Sequence, residues 1–291
     1  MAIDRKEIYA KVTSSLIDMM RQGVAPWSKP WIMHPAQNGS TGKAYRGINR
    51  LSLGMAMEVN GWSDPRFVTF KQCKDMGGRI VKDSTGHAVV YNKQVEKKDK
   101  ETGEVTGTYW LLRYSTVFNV AQTEGIDWEP LDAAPDFTFD DEHDDAQHLA
   151  DSWLTAEGID FAHGGDRAYY SPSRDAIQMP ARESFVTPEH YFQTLFHEIV
   201  HSSGHEKRQD RIDSTTFGSD EYAKEELVAE IGAAMLYATV GLDRDLMEHS
   251  AAYLKSWADR LEDDPGILAT AANAAERAAD YILERVPEPV R

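Results

Sequence analysis

The stretch "LFHEIVHSSGHEKR" (Leu195 to Arg208) decides how this chain is read, because it holds histidines at 197, 201 and 205. Residues four apart on a helix stand one turn above another, so His197 and His201 can turn both imidazoles toward one cation. Glu198 sits about 100° around the helix from His197, placed to act on water and not as a ligand. A metal lowers the pKa of water towards 7, and a neighbouring carboxylate can take its proton for attack on a carbonyl. The helix is well delimited in sequence. Thr187 is an N-cap residue, Pro188 occupies the first helical position and Gly204 terminates the run.

Two histidines need a third ligand. One class of zinc peptidases extends the motif to H-E-x-x-H-x-x-G-x-x-H. Gly204 fits that pattern, but Lys207 stands where the last histidine belongs, and His205 falls out of phase beyond the helix end. The other common arrangement draws a glutamate from a following helix. "YAKEELVAEIGAA" offers Glu225, Glu226 and Glu230. Glu226 and Glu230 are four apart, so the expected ligand is Glu226, with Glu230 supporting a ligand histidine by a hydrogen bond. Glu225 competes with Glu226 for the ligand role. His205, Tyr222 and Tyr170 are candidates for oxyanion stabilisation among which the sequence does not choose. A His₂Glu set suits Zn²⁺, and Mn²⁺ or Fe²⁺ also fit it.

The 291 residues suffice for two domains. A single cysteine, Cys73, excludes a disulfide framework and any multi-cysteine zinc site, and suits the cytoplasm. The first twenty residues are amphipathic and mixed in charge, unlike a secretory signal. No apolar run approaches the ~20 residues that cross a bilayer, so no membrane partner is expected. Net charge is −17, unevenly spread: residues 1–130 hold 18 basic and 14 acidic side chains, the remainder 13 and 34. The second half therefore repels polyanions, whereas the first tolerates or attracts them.

The fold class expected is α+β. Residues 1–130 form an N-terminal α+β domain, 131–143 an acidic linker, and 144–291 a small sheet plus helices. Ile8, Val12, Leu16 and Met19 follow helical spacing over residues 3–22, and "INRLSLGMAMEVNG" is a second helix closed by Gly61. "RFVTF" is a short strand, and Thr69 caps the helix after it. "RIVKDSTGHAVVYNK" and "TYWLLRYSTVFNV" are β-rich runs joined through an extended hairpin tip. After the linker come a helix over 144–157, two short strands in "RAYYSPSRDAIQMP", and helices near 219–240, 246–262 and 265–286. The strand "DAIQMP" reads better as core than as an edge for peptide pairing.

The first half sets aromatics beside cations: Trp27, Lys29 and Trp31; Lys43, Tyr45, Arg46 and Arg50; Trp62, Arg66, Phe67, Phe70 and Lys71. Such mixtures hold single-stranded nucleic acid by stacking and phosphate contact. In a small α+β domain the same aromatics also serve as core.

"PWSKPW", "NGSTGKAYRGIN", "VTFKQCKDMGGRIVK" and "VVYNK" resemble the N-terminal domain of ArdC-type antirestriction proteins, a domain also found in some plasmid-encoded primases. "DAIQMP", "FHEIVHSSGHEKR" and "YAKEELVAEIGAA" resemble the zincin-like metallopeptidase domain that follows it in that family. The resemblance implies a plasmid-borne protein that binds single-stranded DNA and protects incoming DNA from host restriction. It implies a strand-binding surface drawn from Trp27, Lys29, Trp31, Lys43, Tyr45, Arg46, Arg50, Arg66 and Lys71. It also implies a metallopeptidase-like centre at His197, Glu198, His201 and Glu226, acting on a restriction enzyme or another protein. The competing reading is a general cytoplasmic metallopeptidase whose first half selects protein substrates. A third is a binding protein with a purely structural metal.

Overall fold

The computed structural model describes residues 5–21, 36–98, 105–131, 143–185, 187–212, 220–242 and 251–286. The first half contains helices α1 (Arg5–Arg21), α2 (Ile48–Asn60) and α3 (Phe70–Asp75). Its strands are β1 (Gln37–Asn38), β2 (Arg66–Thr69), β3 (Arg79–Ile80), β4 (His87–Lys98), β5 (Val105–Asn119) and β6 (Thr123–Glu124). The second half runs α4 (Asp144–Glu157), β7 (Asp160–His163), β8 (Tyr169–Ser171), β9 (Ala176–Met179), α5 (Pro188–Ser203), α6 (Asp220–Thr239), α7 (Ala251–Asp263) and α8 (Gly266–Leu283). The architecture is α+β. Residues 132–142, most of the expected linker, lie outside the described residues.

Local chemistry accounts for most element ends. Thr69 and Gln72 form a reciprocal capping box at the start of α3. Thr187 caps α5 through the His190 N–H, with Pro188 following. Gly61, just past α2, takes the left-handed conformation that closes a helix with least strain.

The main sheet has the order β1-β2-β5-β4, with β1 and β2 parallel and the other pairs antiparallel. The second sheet has the order β7-β9-β8. The expected pair of short strands is β8 and β9, which are antiparallel. The strand "DAIQMP" is central, as its core reading requires, and the edge facing α5 is β8. Strand β7, parallel to β9, was not expected from the sequence. Its four residues, three of them exposed and one half-buried, with polar ends, give little apolar alternation.

The cores do not follow the boundary near residue 130. Val12, Leu16, Ile17 and Met20 of α1 are buried in the same core as Trp257 and Leu261 of α7 and Leu268 and Ala272 of α8. Helix α2 is buried on two sides. Ile48, Leu51 and Met55 join that large core, whereas Leu53 and Met57 meet Phe67, Val89 and Val117 in a small one. The two halves thus share one large core, in place of the two separate ones that length alone suggested. A polar latch reinforces the contact. Glu276, buried on α8, accepts the Gly47 N–H at 2.8 Å and pairs with Arg46 and Arg50.

Because Leu16 lies in the shared core, Leu16→Ala should destabilise the chain by about 2–5 kcal/mol. Hydrogen exchange should then accelerate in α7 and α8 as well as in α1. Unchanged protection in α8 would show that the halves are independently stable.

Candidate metal centre

Helix α5 carries His197, Glu198 and His201, and α6 lies against it. Their close approach depends on Gly232: a Cβ there would stand 2.9 Å from Val200 Cγ1. Around it Leu227, Val228, Ala229, Ile231, Ala233 and Ala234 are buried, so beyond its charged first turns α6 is a core helix. This packing brings the first turns of α6 over the metal face of α5.

The side chains of His197, His201 and Glu226 converge there. The two Nε2 atoms are 3.1 Å apart. The Glu226 carboxylate lies 3.6 Å from the first and 3.4 Å from the second. Ligands about 2.1 Å from a tetrahedral ion are separated by roughly 3.4 Å, so these donors fit a single divalent cation. Glu225, the rival for the ligand role, faces away from that point. It lies 3.4 Å from His201 Nδ1 and receives two 2.9 Å hydrogen bonds from Arg211. It orients the ring from behind, as carboxylates do for metal-binding histidines. Glu230, the carboxylate expected in that supporting role, acts through its charge on the other histidine, His197.

Arg211 also donates to the Val200 carbonyl at 2.9 Å, tying the end of α5 to α6. Gly204 ends α5 without a left-handed φ. Its missing side chain is needed because a Cβ would meet Ile212 at 2.8 Å and Arg211 at 3.0 Å.

Glu198 is buried, and its Oε2 accepts the Tyr170 N–H of β8 at 2.7 Å. One carboxylate oxygen is therefore fixed by the sheet. The strand is held in turn by the Tyr170 hydroxyl, which donates to Asp175 at 2.8 Å, and by buried Arg208, which reaches Tyr170, Asp175 and the Ser202 carbonyl. That commits Tyr170 to structure. His205 is committed too, with Nε2 3.1 Å from the Pro172 carbonyl and Nδ1 accepting the Lys207 N–H. Of the three oxyanion candidates, Tyr222 on the first turn of α6 stands beside the donors, with its hydroxyl on the Glu226 carboxylate. Burial and the Glu226 carboxylate push its hydroxyl up to about 12, so it stays protonated. The three donors, Glu198, Glu225, Tyr170, His205 and Tyr222 line a cleft of about 990 Å³.

The electrostatics point to a missing positive charge. Burial disfavours charge on His201, but Glu225, Glu226 and Glu198 prevail and push it up to about 10. His197 is raised in the same way, chiefly by Glu226 against its own burial. Burial also opposes the charge on Glu226, yet the two histidines hold it well below the usual carboxylate range.

Residues 148–274 match the zincin-like metallopeptidase family, and residues 6–118 match the N-terminal domain of the anti-restriction factor ArdC. The chain is 35% identical to the crystallised metal-free antirestriction protein ArdC of plasmid R388, with a TM-score of 0.74, covering 96% of this chain and 97% of that one. The chain belongs to the ArdC antirestriction family. The Mn(II)-bound crystal structure of R388 ArdC is also similar, at 33% identity and a TM-score of 0.75, covering 99% and 100%. An uncharacterised Sinorhizobium fredii protein, y4eC, is 33% identical over 95% of this chain and 91% of its own length. A DNA primase TraC of Escherichia coli is 37% identical over 96% of this chain, and a second is 36% identical over 97%. The chain spans only 20% and 28% of those primases.

The expected DNA contacts fare differently. Trp27, Lys29 and Trp31 lie outside the described residues. Arg46, though exposed, is paired with Glu276 and Asp280, Arg50 with Glu276, and Arg66 with Asp64 at 2.5 Å, so each of these three arginines already has a carboxylate partner. For Arg46 and Arg50 the partners Glu276 and Asp280 lie more than 220 residues away in sequence, beyond the reach of local pattern. Phe67 is core, with Trp62 packed against it. Tyr45 is half-buried, its hydroxyl accepting from Asn38. Lys71 pairs with Asp75, and Lys43 is exposed. Among the described residues no helix is long and apolar enough to cross a membrane.

A histidine raised from 6.5 contributes stability that is fully present below about pH 6.5 and is lost as pH climbs towards 10. A metal ion competes with that proton, so metal affinity should rise through the same window. Calorimetric titration of metal-free protein with Mn²⁺ should give tighter binding at pH 8 than at pH 7, and tighter at 7 than at 6. An affinity independent of pH would mean the histidines are not ligands. Glu225→Gln should weaken binding roughly 10–100-fold while leaving the site able to fill.

Proposed function

We propose that the chain protects incoming plasmid DNA from host restriction by engaging single-stranded DNA with its first half and presenting a peptidase-like metal centre with its second. The observation that carries the reading is the convergence of His197, His201 and Glu226 beside a fixed Glu198, in a chain that matches ArdC along nearly its whole length. His197, His201 and Glu226 hold the divalent ion; zinc suits this set, and manganese fits it as well. Bound there, the ion supplies Lewis acidity toward water and toward a peptide carbonyl.

The chain's own groups do the rest. Glu198, with Oε2 held by Tyr170, keeps its other oxygen free to take a proton and pass it to a leaving amine. Tyr222 stays protonated and so donates a hydrogen bond to developing negative charge. Glu225 and Arg211 keep His201 in orientation. The acidic second half discourages DNA from entering the cleft, leaving the strand to the first half. The substrate is a protein of the restricting host, neutralised by cleavage or by occlusion.

Unmodified plasmid DNA entering a restricting host should survive better when the host expresses the wild-type chain; recovery equal to an empty vector would contradict the reading. Glu198→Ala, folded and metal-loaded, separates the two mechanisms. Loss of protection assigns it to hydrolysis, whereas retained protection assigns it to strand binding and occlusion.

A further inference from the structure

The β4–β5 hairpin carries a surface that the expected DNA contacts do not include. From Tyr91 to Lys97 and from Val105 to Leu111, only Val95 and Leu111 are even half-buried. Directly paired residues of an antiparallel ribbon share a face, and the register is Tyr91 with Arg113, Lys93 with Leu111, Val95 with Tyr109 and Lys97 with Gly107. The front face therefore presents Tyr91, Lys93, Lys97, Tyr109 and Arg113, and no acidic side chain. The rear face pairs Val90 with Tyr114, Asn92 with Leu112, Gln94 with Trp110 and Glu96 with Thr108.

The rear is braced at its base, where Lys11 of α1 donates to the Tyr114 hydroxyl at 3.2 Å, Leu112 is buried, and Val90 packs on the large core. Nearer the tip its one ring, Trp110, is 67% exposed and carries Glu96 beside it in place of a cation. The front is open beyond Val89. Tyr91 and Tyr109 are each 48% exposed, and Lys93, Lys97 and Arg113 are exposed too. Among the described residues no ion pair or hydrogen bond engages these five side chains. Lysines on a projecting ribbon also discourage edge-to-edge pairing, which would explain Lys93 and Lys97 alone. It does not explain two open tyrosines on the same face. Tyr109 lies level with Val95, four residues from Tyr91, so the rings are about 14 Å apart along the ribbon, with Lys93 between them, Arg113 level with Tyr91 and Lys97 just beyond Tyr109.

We infer that this front face binds single-stranded nucleic acid, with bases stacking on Tyr91 and Tyr109 and phosphates meeting Lys93, Lys97 and Arg113. Rings interleaved with cations on an open sheet face match a strand's alternation of exposed bases and charged backbone. A duplex, whose bases are already stacked inside, offers the rings nothing. The inference rests on the reading that the first half engages single strands, and it moves the contact away from Arg46, Arg50 and Arg66.

The test is fluorescence anisotropy of labelled oligo(dT) with the full chain over a range of salt. Tyr91→Ala with Tyr109→Ala should weaken binding by at least about 30-fold, since each stacked base contributes a large factor. The matching pair of Tyr→Phe changes should bind like wild type. Lys93→Gln with Lys97→Gln should flatten the slope of log affinity against log salt by about 1.4. Trp110→Ala, on the rear face, should leave affinity unchanged, and every variant should melt with the wild type because these side chains are exposed. Wild type that binds no oligonucleotide would sink the underlying single-strand reading and this inference together. Tight wild-type binding that the alanine pair leaves intact would sink this inference alone. So would displacement by duplex as readily as by single strand, or a loss of self-association in place of strand binding.

Discussion

Helices α5 and α6 can meet closely only because α6 has no side chain at position 232, where even a methyl group would press on Val200. The candidate metal centre depends on that contact. His197 and His201 are aligned by the periodicity of α5 alone, but the third donor must arrive from another helix, at 3.4–3.6 Å from both imidazoles. Glu226 arrives because Gly232, a turn and a half further along α6, lets the helix axes close. Arg211 then fixes the arrangement by holding Glu225 with one edge of its guanidinium and the end of α5 with the other. Several carboxylates gathered around two half-buried imidazoles need positive charge, which protons on the histidines or a metal ion can supply.

A second constraint couples the halves. The family segments are separable in sequence, one over residues 6–118 and the other over 148–274. They are not separable in packing, because α1 and α2 complete the core built by α7 and α8. Glu276 adds a buried charge to that seam, satisfied by the Gly47 N–H and two arginines. Removing one partner from such a cluster is costly, about 3–5 kcal/mol. The arrangement makes the N-terminal ArdC domain and the zincin-like domain one mechanical body, with the hairpin projecting from it.

Much of this was legible in sequence where the determinant was local. The H-E-x-x-H spacing and the caps at Thr187 and Thr69 depend on residues within one or two turns, and each of these elements lies where the spacing puts it. The choice between Glu225 and Glu226 is different in kind. Adjacent residues on α6 point about 100° apart, so the answer is set by how α6 rolls against α5, which Gly232 decides. The sequence expectation of Glu226 agrees with the geometry, but the supporting carboxylate is Glu225 and not Glu230 alone. Nothing local signals that Arg46 and Arg50 are taken up by α8, or that Tyr91 and Tyr109 share an open face. The latter requires the strand register.

The most direct test of the metal centre is an anomalous difference map from crystals of the protein grown with Mn²⁺. The account calls for a single strong peak about 2.0–2.3 Å from the Nε2 atoms of His197 and His201 and from a Glu226 oxygen, with Glu225 still on His201 Nδ1. A peak ligated by Glu225 in place of Glu226, or no peak between the two histidines, would contradict it.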